Sequence, residues 1–132
     1  MTLRRINPDG LAPAIGFSHA VVAEGTKIIF LAGQTSVDAG GKIVGETIVE
    51  QFRIALNNIL TALAAAGGTP AQLTKLTIYS VDPGNYRSNS REISMIWKEL
   101  VGRDYPAMAL VGVVRLWDLE AQVEIEGIAV IP

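Results

Sequence analysis

The sequence predicts one α+β domain in which two helices cover one face of a mixed β-sheet. Three features predict this class: apolar runs of strand length, two segments with the apolar spacing of an amphipathic helix, and a C-terminal segment in which the side chains alternate between two faces. They follow one another as hairpin, helix, strand, helix and two further strands. The 132 residues show no internal repeat and no linker, so we assign residues 1–132 to a single domain.

The first predicted strands are two apolar runs near the N-terminus. Residues 18–24 and 27–32 flank Gly25-Thr26, and two such runs separated by a two-residue turn predict a β-hairpin. Gly33 and the glycine-rich segment 38–41 then predict a loop before the first helix.

The clearest predicted element is a long amphipathic helix. Thr47 and Glu50 have the T-x-x-E spacing of a capping box, whose side chains bind free backbone amides of the first turn. Apolar residues then recur at alternating spacings of three and four and form one stripe. The stripe consists of Val49, Phe52, Leu56, Ile59, Leu63 and Ala66. Gly67-Gly68 supplies the left-handed residue with which many helices end.

The second half of the chain supplies the remaining elements. Residues 75–81 alternate as a strand, residues 82–85 have the composition of a turn, and a second amphipathic helix follows. Its buried stripe is Ile93, Ile96, Trp97 and Leu100. Residues 108–114 form a further apolar strand, and residues 122–131 alternate between two faces.

Composition and topology both predict an oligomer. Only 18% of the residues are charged, where about 25% is usual. The two predicted helices cover one face of the sheet, and no element is left in the chain to cover the other. Packing against copies of the same chain would bury that face.

Charge and residue content exclude several classes of function. The net charge of −2 gives no driving force for binding nucleic acid or an anionic membrane. The absence of cysteine excludes disulfides, thiolate nucleophiles and metal–thiolate sites. His19 is the only histidine, and we expect it to be structural rather than a metal ligand. No phosphate-binding or nucleophile-elbow motif occurs, so we expect no cofactor and no metal.

The sequence also predicts a cytoplasmic location. The basic residues near the N-terminus precede no apolar run, so we expect no signal peptide. The longest stretch without charge, residues 54–74, contains two asparagines, two glycines and a proline, which is not the composition of a membrane span.

Glu124 and Glu126 are the most interesting ionisable pair. They lie on one face of a predicted strand, two residues apart, which places their carboxylates roughly 7 Å from each other. If this face packs into an interface, desolvation would raise one pKa toward the range of a general acid or base. If the face is open to solvent, both are ordinary hydrated carboxylates. The residues alone leave both interpretations open.

Five segments spread along the chain form a recognisable set. They are Gly16-Phe-Ser-His-Ala-Val, Ile29-Phe-Leu-Ala-Gly-Gln, Asn57-Asn58-Ile with Ala65-Ala-Gly-Gly, Tyr105-Pro-Ala and Val123-Glu-Ile-Glu-Gly-Ile-Ala-Val. The last segment, at its distance from Pro-Ala, is the most specific. Together they resemble the RidA/YjgF family of enamine/imine deaminases nearly end to end. The resemblance implies a chorismate-mutase-like fold and a homotrimer with a central barrel, outer helices and a small-molecule pocket at each subunit interface.

The resemblance also implies an activity and a set of residues. Active members hydrolyse 2-aminoacrylate-type enamines and imines to 2-keto acids and ammonia. Glu124 matches the glutamate that handles the attacking water, and Gly33 matches the turn whose backbone lines the pocket. Ser90 stands where active members often carry asparagine, and Phe17 replaces the usual tyrosine.

Met108 is the main departure from the family pattern. It stands directly after Pro-Ala, where active members have an arginine that binds the substrate carboxylate. Methionine offers an apolar wall instead, and a lost charged hydrogen bond costs roughly 1.5–3 kcal/mol of binding. Arg115 is a candidate replacement. Arg115 lies seven residues after Met108, and an odd separation along a regular strand would place the two side chains on opposite faces, unless the chain bends near Trp117.

Three functions follow from this pattern. The first is a deaminase that acts on a less acidic or larger imine with Glu124 as acid/base, and with weak or no activity on standard 2-imino acids. The alternative is a non-catalytic trimer that binds a small apolar or weakly polar metabolite. The third, a ribonuclease or translation inhibitor, ranks last because no cationic groove is predicted.

Overall fold

The main feature of the structure is a mixed β-sheet with helices on one face, which confirms the predicted α+β class. The computed structural model describes residues 2–132. Its strands are β1 (Thr2–Ile6), β2 (Ala20–Glu24), β3 (Lys27–Gln34), β4 (Leu73–Ser80), β5 (Ala107–Gly112) and β6 (Val123–Ile131). Its helices are α1 (Ile48–Ala65), α2 (Pro83–Ser88) and α3 (Ser90–Leu100), with a 3₁₀ turn at Pro70–Gln72. None of the helices within residues 2–132 is long and apolar enough to cross a membrane.

Four strands form the main sheet in the order β3-β6-β4-β5. The central strand β6 is antiparallel to both β3 and β4, whereas β4 and β5 run parallel. Strand β5 therefore lies at one edge of this sheet. The remaining strands, β1 and β2, form a separate antiparallel pair.

The predicted hairpin around Gly25-Thr26 is wrong, although both of its segments are strands. Strand β2 pairs with β1, while β3 pairs with β6 from Lys27 opposite Ile131 onward. The amide of Thr26 donates to the carbonyl of Ile131 at 3.0 Å. The chain between the two strands is thus bonded to the end of β6 and does not close a two-residue turn. Strand β1 was missed because arginines interrupt its apolar residues.

The predicted turn at residues 82–85 is instead the start of a third helix. The carboxylate of Asp82 accepts a hydrogen bond from the amide of Asn85 at 3.0 Å, and Pro83 occupies the first turn. Both features favour a helix N-terminus. The sequence predicted two helices, and three are found among residues 2–132.

Helix α1 has the predicted ends, with one difference in its cap. The hydroxyl of Thr47 accepts from the amide of Glu50 at 3.2 Å, but the Glu50 carboxylate accepts from the amide of Glu46 rather than from that of Thr47. Gly67 has φ 92°, as expected where a left-handed residue ends a helix. The predicted stripe is buried at Phe52, Leu56, Ile59 and Leu63, whereas Val49 is half-buried and Ala66 lies exposed beyond the helix.

The alternation of β6 divides the sheet into two faces. Val123, Ile125 and Ala129 are buried against the helices. Glu124, Glu126, Ile128 and Val130 occupy the other face, as predicted, and are half-buried in the single chain.

We call this second side the open face, defined by the outward residues of β6 and their neighbours on β3 and β4. On β3 it presents Ile28 and Phe30, whose exposures are 59% and 76%. Phe30 lies opposite Ile128 and Ile28 opposite Val130, so the apolar residues form one continuous patch.

Candidate functional site

A groove runs along the helix side of the edge strand β5. It consists of two adjoining cavities of about 240 and 210 Å³. Both are lined by Ile15, Gly16, Tyr86 and Met108. Three residues that the sequence singled out therefore come together here, because Ser90 lines the first cavity and Phe17 the second.

The orientation of Met108 follows from strand pairing. In the parallel β4–β5 ladder Met108 lies opposite Leu76, a fully buried residue that faces the helices. Met108 therefore points to the same side and packs against the hydrophobic core. Its half-exposed side chain forms part of the groove wall.

The loop that carries Phe17 is tied to the start of β5. The Ser18 hydroxyl donates to the Tyr105 carbonyl at 2.7 Å, and the Ser18 amide donates to the Pro106 carbonyl at 3.0 Å. His19 donates from Nε2 to the Ala12 carbonyl at 2.7 Å, and its ring packs edge-on against Phe17. His19 thus holds the loop, which agrees with the structural role expected for it.

Aromatic rings form the deep wall of the groove. Trp97 and Tyr105 are stacked with their centroids 5.2 Å apart, and Phe52 packs edge-on against Tyr86 at 6.0 Å. Burial raises the pKa of Tyr86 well above its ordinary value, so its hydroxyl stays neutral. Sequence reasoning missed Tyr86 as a groove residue because it did not predict helix α2, which carries this residue.

Glu124 and Gly33 form a second cluster, on the open face. Leu31 pairs with Gly127 and Gln34 with Ile125, so β3 carries one extra residue at this point and forms a bulge. The bulge brings Gly33 so close to the Glu124 carboxylate that a Cβ atom at position 33 would clash with it. The predicted proximity of these two residues is therefore present within one chain.

The Glu124 carboxyl is the unpaired acid of this cluster. Burial raises its pKa above the ordinary value of 4.5, and the charges of Glu126 and Asp118 raise it further. No hydrogen bond among residues 2–132 engages its carboxylate. By contrast, Glu126 accepts a hydrogen bond from the Tyr79 hydroxyl, which raises the pKa of Tyr79. Glu124 is therefore partly desolvated already within one chain, and its packing into an interface stays a prediction.

The groove and the Glu124 cluster lie on opposite faces of the sheet. Met108 shares its face with Leu76, whereas Glu124 lies opposite Tyr79, which points the other way. Within one chain these two candidate residues therefore do not meet.

Arg115 lies apart from both clusters, beyond the end of β5. Its guanidinium donates to the carbonyls of Leu116 and Trp117 at 3.1 and 3.0 Å, and the residue does not line the groove. Within residues 2–132 no group of three or more histidine, aspartate or glutamate side chains is arranged to hold a metal ion.

Comparison with known proteins matches nearly the whole chain. The sequence model of the family described as Endoribonuclease L-PSP matches residues 8–131. The chain is 34% identical to the goat 2-iminobutanoate/2-iminopropanoate deaminase, over 97% of this chain and 90% of the goat protein. The human protein of the same name is 30% identical, and the match covers 97% of this chain and 90% of the human protein.

A solved structure gives the same result. A Yersinia pestis protein of unknown function from the conserved Rid family, YyfB, superposes with a TM-score of 0.88. It is 33% identical, and the match covers 99% of this chain and all of the Yersinia chain. The resemblance found in the sequence is thereby confirmed: this chain belongs to the Rid (YjgF/RidA) family, whose sequence model is described as Endoribonuclease L-PSP.

Proposed function

We propose that this protein is a homotrimeric Rid protein that hydrolyses a non-standard imine or enamine in a pocket between neighbouring chains, with Glu124 as the acid/base residue. One observation carries the proposal. An unpaired carboxyl group with a raised pKa lies at the Gly33 bulge, on a face that a single chain leaves open. The deaminase names of the goat and human relatives support the same type of reaction.

Assembly of the site requires a second chain because its two halves lie on opposite faces. The open face carries Glu124 together with the exposed Ile28 and Phe30, and burying this apolar patch would favour association. The groove lies at the edge strand β5, where a neighbouring chain can reach it. A ring of three chains would close the sheets into a barrel and bring Glu124 of one chain to the groove of the next.

The chemistry needs one group that both takes and gives a proton. Water attacks the carbon of the C=N bond while the Glu124 carboxylate accepts a proton from that water. The carboxyl returns that proton to nitrogen and gives a carbinolamine. The carboxylate then takes the proton of the carbinolamine hydroxyl as the C=O bond forms and delivers it to nitrogen, the C–N bond breaks, and the products are a carbonyl compound and ammonia. A raised pKa suits both steps, because the group can be an effective base and still be reprotonated.

Met108 sets the expected substrate apart from 2-imino acids. No lysine or arginine lines the groove, and the guanidinium of Arg115 already binds backbone carbonyls. A substrate carboxylate would therefore be desolvated without a charged partner.

The second candidate is a trimer that binds a metabolite without turnover. Met108 and Phe17 favour it, because both replace polar groups that active family members use. Ribonuclease activity ranks last, since the chain is acidic overall and neither cavity of the groove has a basic residue in its lining. The expected cytoplasmic location and lack of a cofactor stay predictions.

The assembly can be tested by a charge on the open face. Phe30 is 76% exposed in one chain, so Phe30→Lys should cost an isolated chain little, whereas a lysine buried between chains would be unfavourable. We expect sedimentation at micromolar concentration to give a trimer for the wild type and smaller species for Phe30→Lys. Met95→Lys, on the outer surface of α3, is the matched control and should stay trimeric. A wild-type species of 14.1 kDa would contradict the assembly.

The desolvation of Glu124 can be tested through the pH dependence of stability. Because the folded-state pKa is raised, the folded protein binds this proton more tightly than the unfolded chain does, and the fold loses that contribution as the pH rises above 4.5. Glu124→Gln should therefore raise the melting temperature near neutral pH and have less effect below pH 4.5. The exposed Glu120→Gln is the control. An equal effect at both pH values would mean that Glu124 is an ordinary hydrated carboxylate.

The reaction can be tested by ammonia release from freshly generated imines. We expect the wild type to hydrolyse imines that lack a carboxylate, and to show little turnover of 2-iminobutanoate or 2-iminopropanoate. Glu124→Gln should abolish hydrolysis because an amide cannot accept the proton.

Met108→Arg supplies the missing cation and should raise turnover of the 2-imino acids by roughly tenfold or more. The double variant with Glu124→Gln should lose that gain. Strong wild-type turnover of 2-imino acids, or activity retained after Glu124→Gln, would contradict the assignments of Met108 and Glu124.

A further inference from the structure

The polar groups of the groove are all uncharged. The hydroxyls of Tyr86, Ser90 and Ser94 line its first cavity, and no hydrogen bond among residues 2–132 engages any of them. Burial keeps the Tyr86 hydroxyl neutral. These groups can donate or accept a hydrogen bond but cannot balance a charge.

The remaining wall of the groove is apolar and largely aromatic. Phe52 and Trp97 form its floor, at 1% and 2% exposure, and the Tyr105 ring stacks on Trp97. Ile15, with 84% exposure, lies at the rim and lines both cavities. A cavity of about 240 Å³ next to a second of about 210 Å³ has room for a group much larger than the methyl or ethyl of a small imino acid.

We infer that the ligand of this groove is an uncharged carbonyl compound, or its imine, that carries a bulky aromatic group and no carboxylate. The aromatic group would lie among Trp97, Tyr105 and Met108, and the carbonyl or imine group would bind the free hydroxyls. This ligand class rests on the proposed function in one respect, namely that the groove is the ligand-binding half of the site. The inference adds the chemical class of the ligand.

Three physical terms favour this class over a 2-keto or 2-imino acid. A planar ring gains dispersion and edge-to-face contacts with the aromatic wall. The thioether of Met108 adapts to such a ring. A carboxylate in the same place would lose its hydration and find only neutral hydroxyls as partners. Of two ligands that differ only in a carboxylate, the uncharged one should therefore bind much more tightly.

The test compares two ligands that differ in one group. Benzylacetone and 2-oxo-4-phenylbutanoate share a phenylethyl ketone, but the first ends in a methyl group and the second in a carboxylate. Binding is measured by the fluorescence of Trp97 in a Trp117→Phe background, since Trp117 is 91% exposed and lies outside the groove. We expect benzylacetone to bind at least about tenfold more tightly than the keto acid. It should exceed butanone, which lacks the ring, by a similar factor.

Three variants show whether binding occurs in the groove. Ser94→Phe fills the groove and should weaken benzylacetone binding by about tenfold, whereas Met95→Phe, the next residue on α3 but outside the groove, should leave it unchanged. Met108→Arg should reverse the preference between the two ligands. If Ser94→Phe fails to fold, the Met108→Arg comparison still decides.

The possible outcomes distinguish a wrong ligand class from a wrong assignment of the reaction. Benzylacetone binding without ammonia release from any imine would leave the ligand class standing and remove the deaminase. Equal or tighter binding of 2-oxo-4-phenylbutanoate to the wild type would overturn the ligand class, even if hydrolysis were observed. Absence of measurable benzylacetone binding would overturn it as well.

Discussion

The two-residue period of strand β6 is the constraint on which the rest of the structure depends. Because β6 lies between β3 and β4, one set of its side chains must face the helices and the other must face away. Val123, Ile125 and Ala129 form the centre of the core, and the same alternation fixes Glu124 on the open face. A shift of the register by one residue would bury the glutamates and expose the core, so the location of the acid group is determined by the fold's most strongly buried strand.

The same alternation separates the two halves of the proposed site. Met108, on β5, shares the helix-facing side with Leu76 and forms a wall of the aromatic groove. If the groove binds the ligand, as proposed, a substitution at residue 108 changes the wall of the groove without disturbing the face that carries Glu124. A chain with this geometry can keep an acid/base group and acquire a different substrate, provided that a neighbouring chain joins the two halves.

Sequence reasoning succeeded where a strong period or a specific motif was present. The long stripe of α1, the alternation of β4 and β6, and the family resemblance all came from such patterns. It failed where pairing or local caps decide the outcome. The strand partners of residues 18–32 depend on the contact between Thr26 and Ile131, and helix α2 depends on the cap that Asp82 provides. The Thr26–Ile131 contact does not follow from the composition of the segment, and the Asp-Pro pair at residues 82–83 is typical both of a turn and of a helix N-terminus.

The candidate site was predictable in its members but only partly in its arrangement. The sequence named Phe17, Ser90, Met108, Gly33, Glu124 and Arg115. The structure gathers the first three in the groove and the next two at the β3 bulge, whereas Arg115 lies apart from both. The bulge itself, and the role of Tyr86 as a buried neutral hydroxyl, required the three-dimensional structure. Both depend on residues that are far apart in the sequence.

The most direct test of a site shared between chains is a cross-link between its two halves. The chain contains no cysteine, so a variant with Met108→Cys and Glu124→Cys carries two unique thiols. With a short bismaleimide, the shared site predicts covalent dimers and trimers on a denaturing gel, and each single-cysteine variant serves as the control. A double variant that stays monomeric on the gel, whether unlinked or linked within one chain, would contradict the shared site.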